Sequence, residues 1–381
     1  MKSLIQLQIF FLIFSISLTT LITKESKAQD GTWDIGPRIL PASVDVSDVM
    51  RESLLNTPTP NVEATKSIVL KTKEEWEAWA KAGDVPAIAV VRALAEALSI
   101  TVTQDKIGGV NVYRVTPPEI DEDHKNHLFV YIHGGAWVRN GGEAGTVEAV
   151  LIAARLKMAV ISIDYRMPPK YPAPAAVNDV VEVWKELLKD QSPNSMVMGG
   201  TSAGGNITLG SVHRFKDEGL PLPGALYAGT PAVDLEMTGD SRFLNEGVDR
   251  LLVSWKYVPH DAAAMYAGEF DLKHPYVSPI YGNFENFPPS YLISGTRDLM
   301  LSDAVRVHRK LRRAGVEADL HIYEGQAHAD YIYMWNSPES VEHYAELNAF
   351  LLRYLQRPKL SGSTLPVETT KDIEIPKSAV Y

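Results

Sequence analysis

A serine hydroxyl becomes a nucleophile only when a base takes its proton, and that base must be oriented by a carboxylate. Ser202, Asp298 and His328 supply those groups in that chain order. Ser202 lies at the centre of Gly200-Thr201-Ser202-Ala203-Gly204, behind the apolar run Met196-Val197-Met198 and ahead of a helical stretch from Ile207 to Phe215. A strand that turns sharply into a helix strains the residue at the turn, and flanking glycines remove side chains that would clash there. The helix N-terminus brings partial positive charge to the place where an oxyanion would form. The pattern implies acyl-transfer chemistry, with Ser202 as nucleophile, His328 as general base and Asp298 as the acid that orients it.

Such chemistry also needs amide donors aimed at the oxyanion. His133-Gly134-Gly135-Ala136-Trp137 follows the apolar run Leu128 to Ile132, and Gly134 and Gly135 can turn their N–H groups toward one point beside that of Ala203. Asp298 follows the run Tyr291 to Ser294, and His328 follows the run ending at Tyr323, so both occupy strand-end loops. Asp303 is better placed to start or line a helix, while His321 falls in a strand and His213 and His308 on helices. His124, His127, His260, His274 and His343 lack a strand-end setting, and Asp330 shares the His328 loop as a supporting partner.

These residues need a sheet to carry them. Short β-like runs at Ile100–Val102, Val110–Val115, Leu128–Ile132, Ala159–Ile163, Met196–Met198, Ala225–Ala228, Ser290–Ser294 and Ala318–Tyr323 alternate with helices at Ala144–Leu156 and Ala175–Asp190. That alternation predicts an α/β architecture, a doubly wound and mostly parallel sheet. The alternation lapses between about 235 and 281, where Trp255, Tyr257, Met265 and Tyr266 suggest a helical cap inserted over the sheet. Upstream, Lys73–Ala82 with Trp76 and Trp79 is one cap helix, and Pro86 opens a second with an Ile88, Val91, Leu94 and Leu98 stripe. Trp137, Trp255 and Tyr257 are candidate substrate-binding residues, and the aromatic cap favours compact hydrophobic groups over long lipid chains.

Residues 1–28 read as a signal peptide, with Lys2, an apolar run from Ile9 to Leu18 and Ser26-Lys27-Ala28 at its end; the alternative is an uncleaved anchor, since Leu4 to Ile22 nearly spans a bilayer, although Gln6, Gln8 and several Ser and Thr residues weaken it. Export to the periplasm or the medium follows from the signal peptide, with no stable membrane insertion after cleavage. Residues 29–99 then form an N-terminal arm, irregular to about 70, and the cap helices; 100–357 form the catalytic domain, and 358–381 a polar tail. A net charge of −10 argues against nucleic acid as a partner, because phosphates demand a basic face. The chain has no cysteine, so disulfides, thiolate metal sites and lipidated cysteines are excluded.

Taken together, these motifs resemble the hormone-sensitive-lipase-like branch of the α/β-hydrolase fold, the bacterial family IV esterases. The resemblance rests on His133-Gly134-Gly135, on Asp164-Tyr165-Arg166-Met167-Pro168-Pro169 with Tyr171-Pro172-Ala173-Pro174-Ala175, and on Gly200-Thr201-Ser202-Ala203-Gly204-Gly205-Asn206, Asp298-Leu299-Met300 and His328, from Ile100 to Leu355. It implies a serine carboxylester hydrolase acting on short to medium acyl or small hydrophobic esters, with neither cofactor nor metal. It also implies that Asp164, Tyr165 and Arg166 support the oxyanion loop. Ala136 stands where many members have a third glycine, Thr201 where one subgroup has aspartate, and Leu299 where proline is usual. A lactonase would use the same triad, and a non-catalytic ligand-binding relative would keep the same fold. Oligomeric state is left open.

Overall fold

A computed structural model describes residues 32–355. The expected signal peptide and the tail from 358 lie outside the described residues. Residues 32–42 carry no helix or strand and belong to a separate unit from the chain that starts at Ser43.

From Ser43 the chain opens with α1 (Asp48–Asn56), α2 (Val62–Lys66) and α3 (Lys73–Ala97), then β1 (Thr101–Ile107), β2 (Val110–Thr116) and β3 (Leu128–Ile132). It continues through α4 (Val147–Leu156), β4 (Ala159–Ile163), α5 (Ala175–Leu187), β5 (Met196–Thr201), α6 (Ala203–Asp217) and β6 (Ala225–Gly229). The short α7 (Ser241–Leu244) and α8 (Val258–Ala267) precede β7 (Ser290–Gly295), α9 (Leu301–Arg313), β8 (Ala318–Tyr323), α10 (Asp330–Tyr333) and α11 (Pro338–Tyr354).

The eight strands form one sheet in the order β1-β2-β4-β3-β5-β6-β7-β8. The β1–β2 and β2–β4 pairings are antiparallel, and every pairing from β4 through β3 to β8 is parallel. Strands buried on both faces should be apolar throughout, and β5, β6 and β7 are buried at every position. Along β3, Val130 and Ile132 pack into one core with α5, α6 and α9, while Phe129 and Tyr131 pack into the other with α4 and α11. The sheet brings the C-terminal ends of β3, β5, β7 and β8 to one edge, where ligands of open α/β sheets bind.

Two expectations change. The segment before residue 70 is irregular only in part: residues 32–47 carry no helix or strand, but Ser47 and Asn61 accept hydrogen bonds from the amides of Met50 and Ala64 and cap α1 and α2. Pro86 does not open a second helix but lies inside α3. Its exposed ring forfeits only the hydrogen bond that its own missing N–H would have made. The helix starts in a capping box of Thr72 and Glu75, and Val91 and Leu94 bury its far half against α4. Only the first half of α3 belongs with the cap, where Trp76 packs with Val138, Val258 and Ala262. Among the described residues, no helix is long and apolar enough to cross a membrane.

Candidate active site

Ser202 sits between β5 and α6 with φ 62° and ψ −121°, a conformation that L side chains rarely adopt. It is held there from several sides. Its amide donates to the Gly229 carbonyl on β6 (2.8 Å), and its carbonyl accepts from Asn206 (3.1 Å). A Cβ on Gly200 or Gly204 would fall 1.9 or 2.0 Å from the Ile132 carbonyl oxygen, so only glycine lets β3 approach the turn this closely.

Beneath the turn, Thr201 donates to Glu148 of α4 (2.8 Å), which also accepts from Tyr227 (2.8 Å) and Tyr131 (2.8 Å). Burial pushes the Glu148 carboxyl up to about 7, against the three hydroxyls that favour its charge. The Tyr331 hydroxyl meets Thr201 at 2.8 Å and so joins the histidine loop to the same cluster. Sequence reasoning missed Glu148. The available signal was a lone carboxylate inside Val147–Leu156, a helix otherwise apolar except for Arg155.

The structure brings His328 and Asp298 together, both buried. His328 Nδ1 donates to Asp298 Oδ1 at 3.0 Å. That oxygen also accepts from the Met300 amide (2.8 Å), and Oδ2 accepts from Ser294 (2.6 Å). Burial pulls the His328 pKa down, but the adjoining Asp298 charge and hydrogen bond, with Asp249 and Asp330 behind, outweigh it and hold the ring above its ordinary value. His328 Nε2 has no protein partner among the described residues. Asp330 supports the loop by accepting from the Ala327 amide (2.7 Å), and it pairs with Arg250 (2.8 Å).

The glycine loop after β3 is braced from behind. Tyr165 stacks on His133 at 4.2 Å and donates its hydroxyl to the His133 carbonyl (2.9 Å), while Asn140 donates to the Gly134 carbonyl (3.2 Å). Gly135 has φ 122°, open only to glycine in practice. Ala203 is the first residue of α6, so its amide is one of the donors a helix N-terminus leaves unpaired. Of the residues that the resemblance assigned to supporting this loop, Tyr165 does so directly. Asp164 accepts from the Gly142 amide (2.8 Å) farther along, and Arg166 instead pairs with Asp179 of α5 (2.7 Å).

Ser202, His328, Gly134 and Gly135 open onto one cavity of about 460 Å³. Trp79, Trp137, Leu252, Trp255, Val258 and Ile332 are among its walls. Of the three expected binding residues, Trp137 and Trp255 line the cavity and Tyr257 does not. Tyr257 is the residue before α8 and lies beside Lys66, leaving Val258 and Pro259 to face inward. Trp76 and Tyr266 sit behind the wall, Tyr266 stacking on Trp137 at 5.1 Å. Asp303 is a framework residue: it forms a fully buried ion pair with Arg242 (2.5 Å), whose guanidinium lies 4.0 Å over the Trp255 ring. Among the described residues, three metal-ligating side chains come together at Asp249, Asp298 and His328, with ligand atoms within 4.8 Å of one another. His328 Nδ1 and Asp298 there already satisfy each other.

Residues 129–332 match a family model described as the alpha/beta hydrolase fold. A solved structure of an esterase, E25, is 48% identical with a TM-score of 0.84, covering 85% of this chain and 99% of that one. An esterase of Acinetobacter venetianus is 28% identical over 244 residues, 58% of this chain and 74% of the relative. An esterase structure from the bacterial hormone-sensitive lipase family shares the fold at 24% identity and TM-score 0.67, covering 82% of this chain and all of that one (100%).

Titration of the His328 ring by NMR should give a pKa above the ordinary value of about 6.5. Asp298→Asn should lower it, because the imidazolium loses its neighbouring charge. Asp303→Asn should leave it in place and instead cost about 3–5 kcal/mol of stability in urea unfolding, since Arg242 is left buried and unpaired. The opposite pattern would show that Asp303 is the orienting carboxylate.

Proposed function

Because the chain belongs to the alpha/beta hydrolase fold family, and within it is an esterase of the hormone-sensitive-lipase-like kind, we propose that it hydrolyses carboxylic esters through an acyl-enzyme formed on Ser202. One observation carries the mechanism: His328 holds Nδ1 against Asp298 and keeps Nε2 free of protein partners among the described residues, at the cavity that Ser202 also lines.

The Ser202 hydroxyl oxygen attacks the ester carbonyl carbon while its proton passes to His328 Nε2. The negative charge moves to the carbonyl oxygen, which the amides of Gly134, Gly135 and Ala203 receive. Asp298 stays ionised and stabilises the imidazolium. As the tetrahedral intermediate collapses, His328 returns the proton to the departing alcohol. Water then attacks the acyl-serine with His328 again as base, releasing the carboxylic acid and restoring Ser202.

A mostly apolar cavity of about 460 Å³ suits a compact ester. Lactones of similar size meet the same triad, and the substrate series below separates the two. The Lys2, Ile9–Leu18 and Ser26-Lys27-Ala28 pattern supports export to the periplasm or medium with loss of residues 1–28.

Ser202→Ala should fold normally and lose at least about 10³-fold in kcat, because the triad acts as a unit. Activity above about a tenth of wild type would rule Ser202 out as nucleophile. Across acyl esters of graded length, kcat/KM should fall beyond about eight carbons, the reach of a pocket this size. A steady rise into long-chain triglyceride emulsions would overturn that, and a small lactone outpacing every open ester would move the reading to lactonase. By mass spectrometry, exported protein should begin near Gln29; an intact Met1 would refute cleavage.

A further inference from the structure

Asp249 lies in the segment between α7 and α8, fully buried, and no step above uses it. Its Oδ1 accepts from the amides of Leu251 (2.9 Å) and Leu252 (3.0 Å), which closes a tight turn. Its Oδ2 does something a turn does not require: it accepts from the amide of Leu299 (3.0 Å), the residue that follows Asp298. Oxygens of both carboxylates and a His328 nitrogen lie within 4.8 Å of one another.

Among the described residues, no ion pair joins Asp249 to a lysine or arginine. Its neighbour Arg250 is turned away and pairs with Asp330 (2.8 Å). A buried carboxylate without a counter-charge is costly, and such groups are normally paired or neutralised. The cation within reach here is the His328 imidazolium, which forms in catalysis when the ring takes the Ser202 proton.

We propose that Asp249 is a second acid of this centre, a positioning residue that fixes the Asp298 loop through the Leu299 amide and stabilises the His328 imidazolium with its charge. This rests on the Ser202, His328 and Asp298 mechanism above. The charged groups around Asp249 are Asp298, His328 and, behind them, Asp330 with its partner Arg250. Burial and the like charge of Asp298 push the Asp249 carboxyl up to about 6, with His328 opposing them. Above that pH Asp249 is ionised and adds to the field that raises His328. Removing its charge therefore lowers the His328 pKa, which moves the acid limb of the pH–rate profile to lower pH.

The test uses Asp249→Asn and Asp249→Ser, both uncharged; serine keeps an oxygen that can accept within the Leu251 turn. For each, kcat/KM is measured against pH with a short acyl ester, together with the pH dependence of inactivation by diisopropyl fluorophosphate, which reads His328 basicity at Ser202 directly. The expected result is an acid limb displaced downward by about half to one pH unit in both assays, with kcat on the order of tenfold lower and KM within about threefold. Folded variants whose limb coincides with wild type would overturn the proposal, even at reduced kcat, because a purely structural turn does not set the limb. Wild-type protein supplies a check that no folding defect can obscure. The His328 ring should titrate in two steps, one of them near the Asp249 value, as coupled groups do; a single step would also overturn it. Failure of the organophosphate to label Ser202 in wild type would instead refute the mechanism on which the proposal rests.

Discussion

The structure around the site depends on keeping Ser202 at φ 62°, a backbone conformation that costs on the order of 1–3 kcal/mol for a residue with a side chain. The cost is offset by what converges on the turn. Gly200 and Gly204 let the Ile132 carbonyl come so close that any Cβ would collide with it, which locks β3 to β5 and α6. The Ser202 amide is tied to β6 through Gly229. Because β3 ends at this contact, the glycine loop that follows it starts beside Ser202, so oxyanion donors and nucleophile are placed by the same packing.

A buried carboxylate completes that arrangement. Glu148 collects hydroxyls from β3, β5 and β6, and Tyr331 extends the cluster to the loop that bears His328. A polar cluster in a dry core is favourable only when its members satisfy one another, and then it admits one arrangement rather than several. Thr201 is central to it, since its hydroxyl meets Glu148, Tyr227 and Tyr331 at once. The hydroxyl that Thr201 brings to the turn is thus matched by a carboxylate supplied by another helix.

Most of the scaffold could be read from the chain because its signals are local. The apolar run at Leu128–Ile132 reports a strand buried on both faces, and the glycine spacing around Ser202 reports a turn that only glycines permit. Asp298 and His328 followed from their place after such runs. The reading failed where long-range contacts decide. Pro86 stands inside a continuous helix because tertiary packing of Val91 and Leu94 outweighs one lost hydrogen bond. Tyr257 belongs to an aromatic segment, yet the start of α8 determines that it faces away from the cavity. Asp249 carries no local signature at all, since its significance comes from Leu299 and His328, both distant in the chain.

Arg250 shows how the elements outside the sheet are tied to the chemistry. Its guanidinium donates to Asp330 in the His328 loop (2.9 Å), to Ser53 of α1 (2.7 Å) and toward the sulfur of Met334 (2.9 Å). A largely buried arginine thus divides its charge-assisted bonds between two segments, α1 and the stretch Asp330–Met334 after His328. Through Arg250, α1 is joined to Asp330, which in turn holds the Ala327 amide next to His328. On the other side of the cavity, the Arg242–Asp303 pair backs Trp255 in the same way. Charged pairs thus stand behind two parts of the cavity lining, the His328 loop and Trp255, so the wall that meets the substrate and the loop that carries the base share the same kind of support.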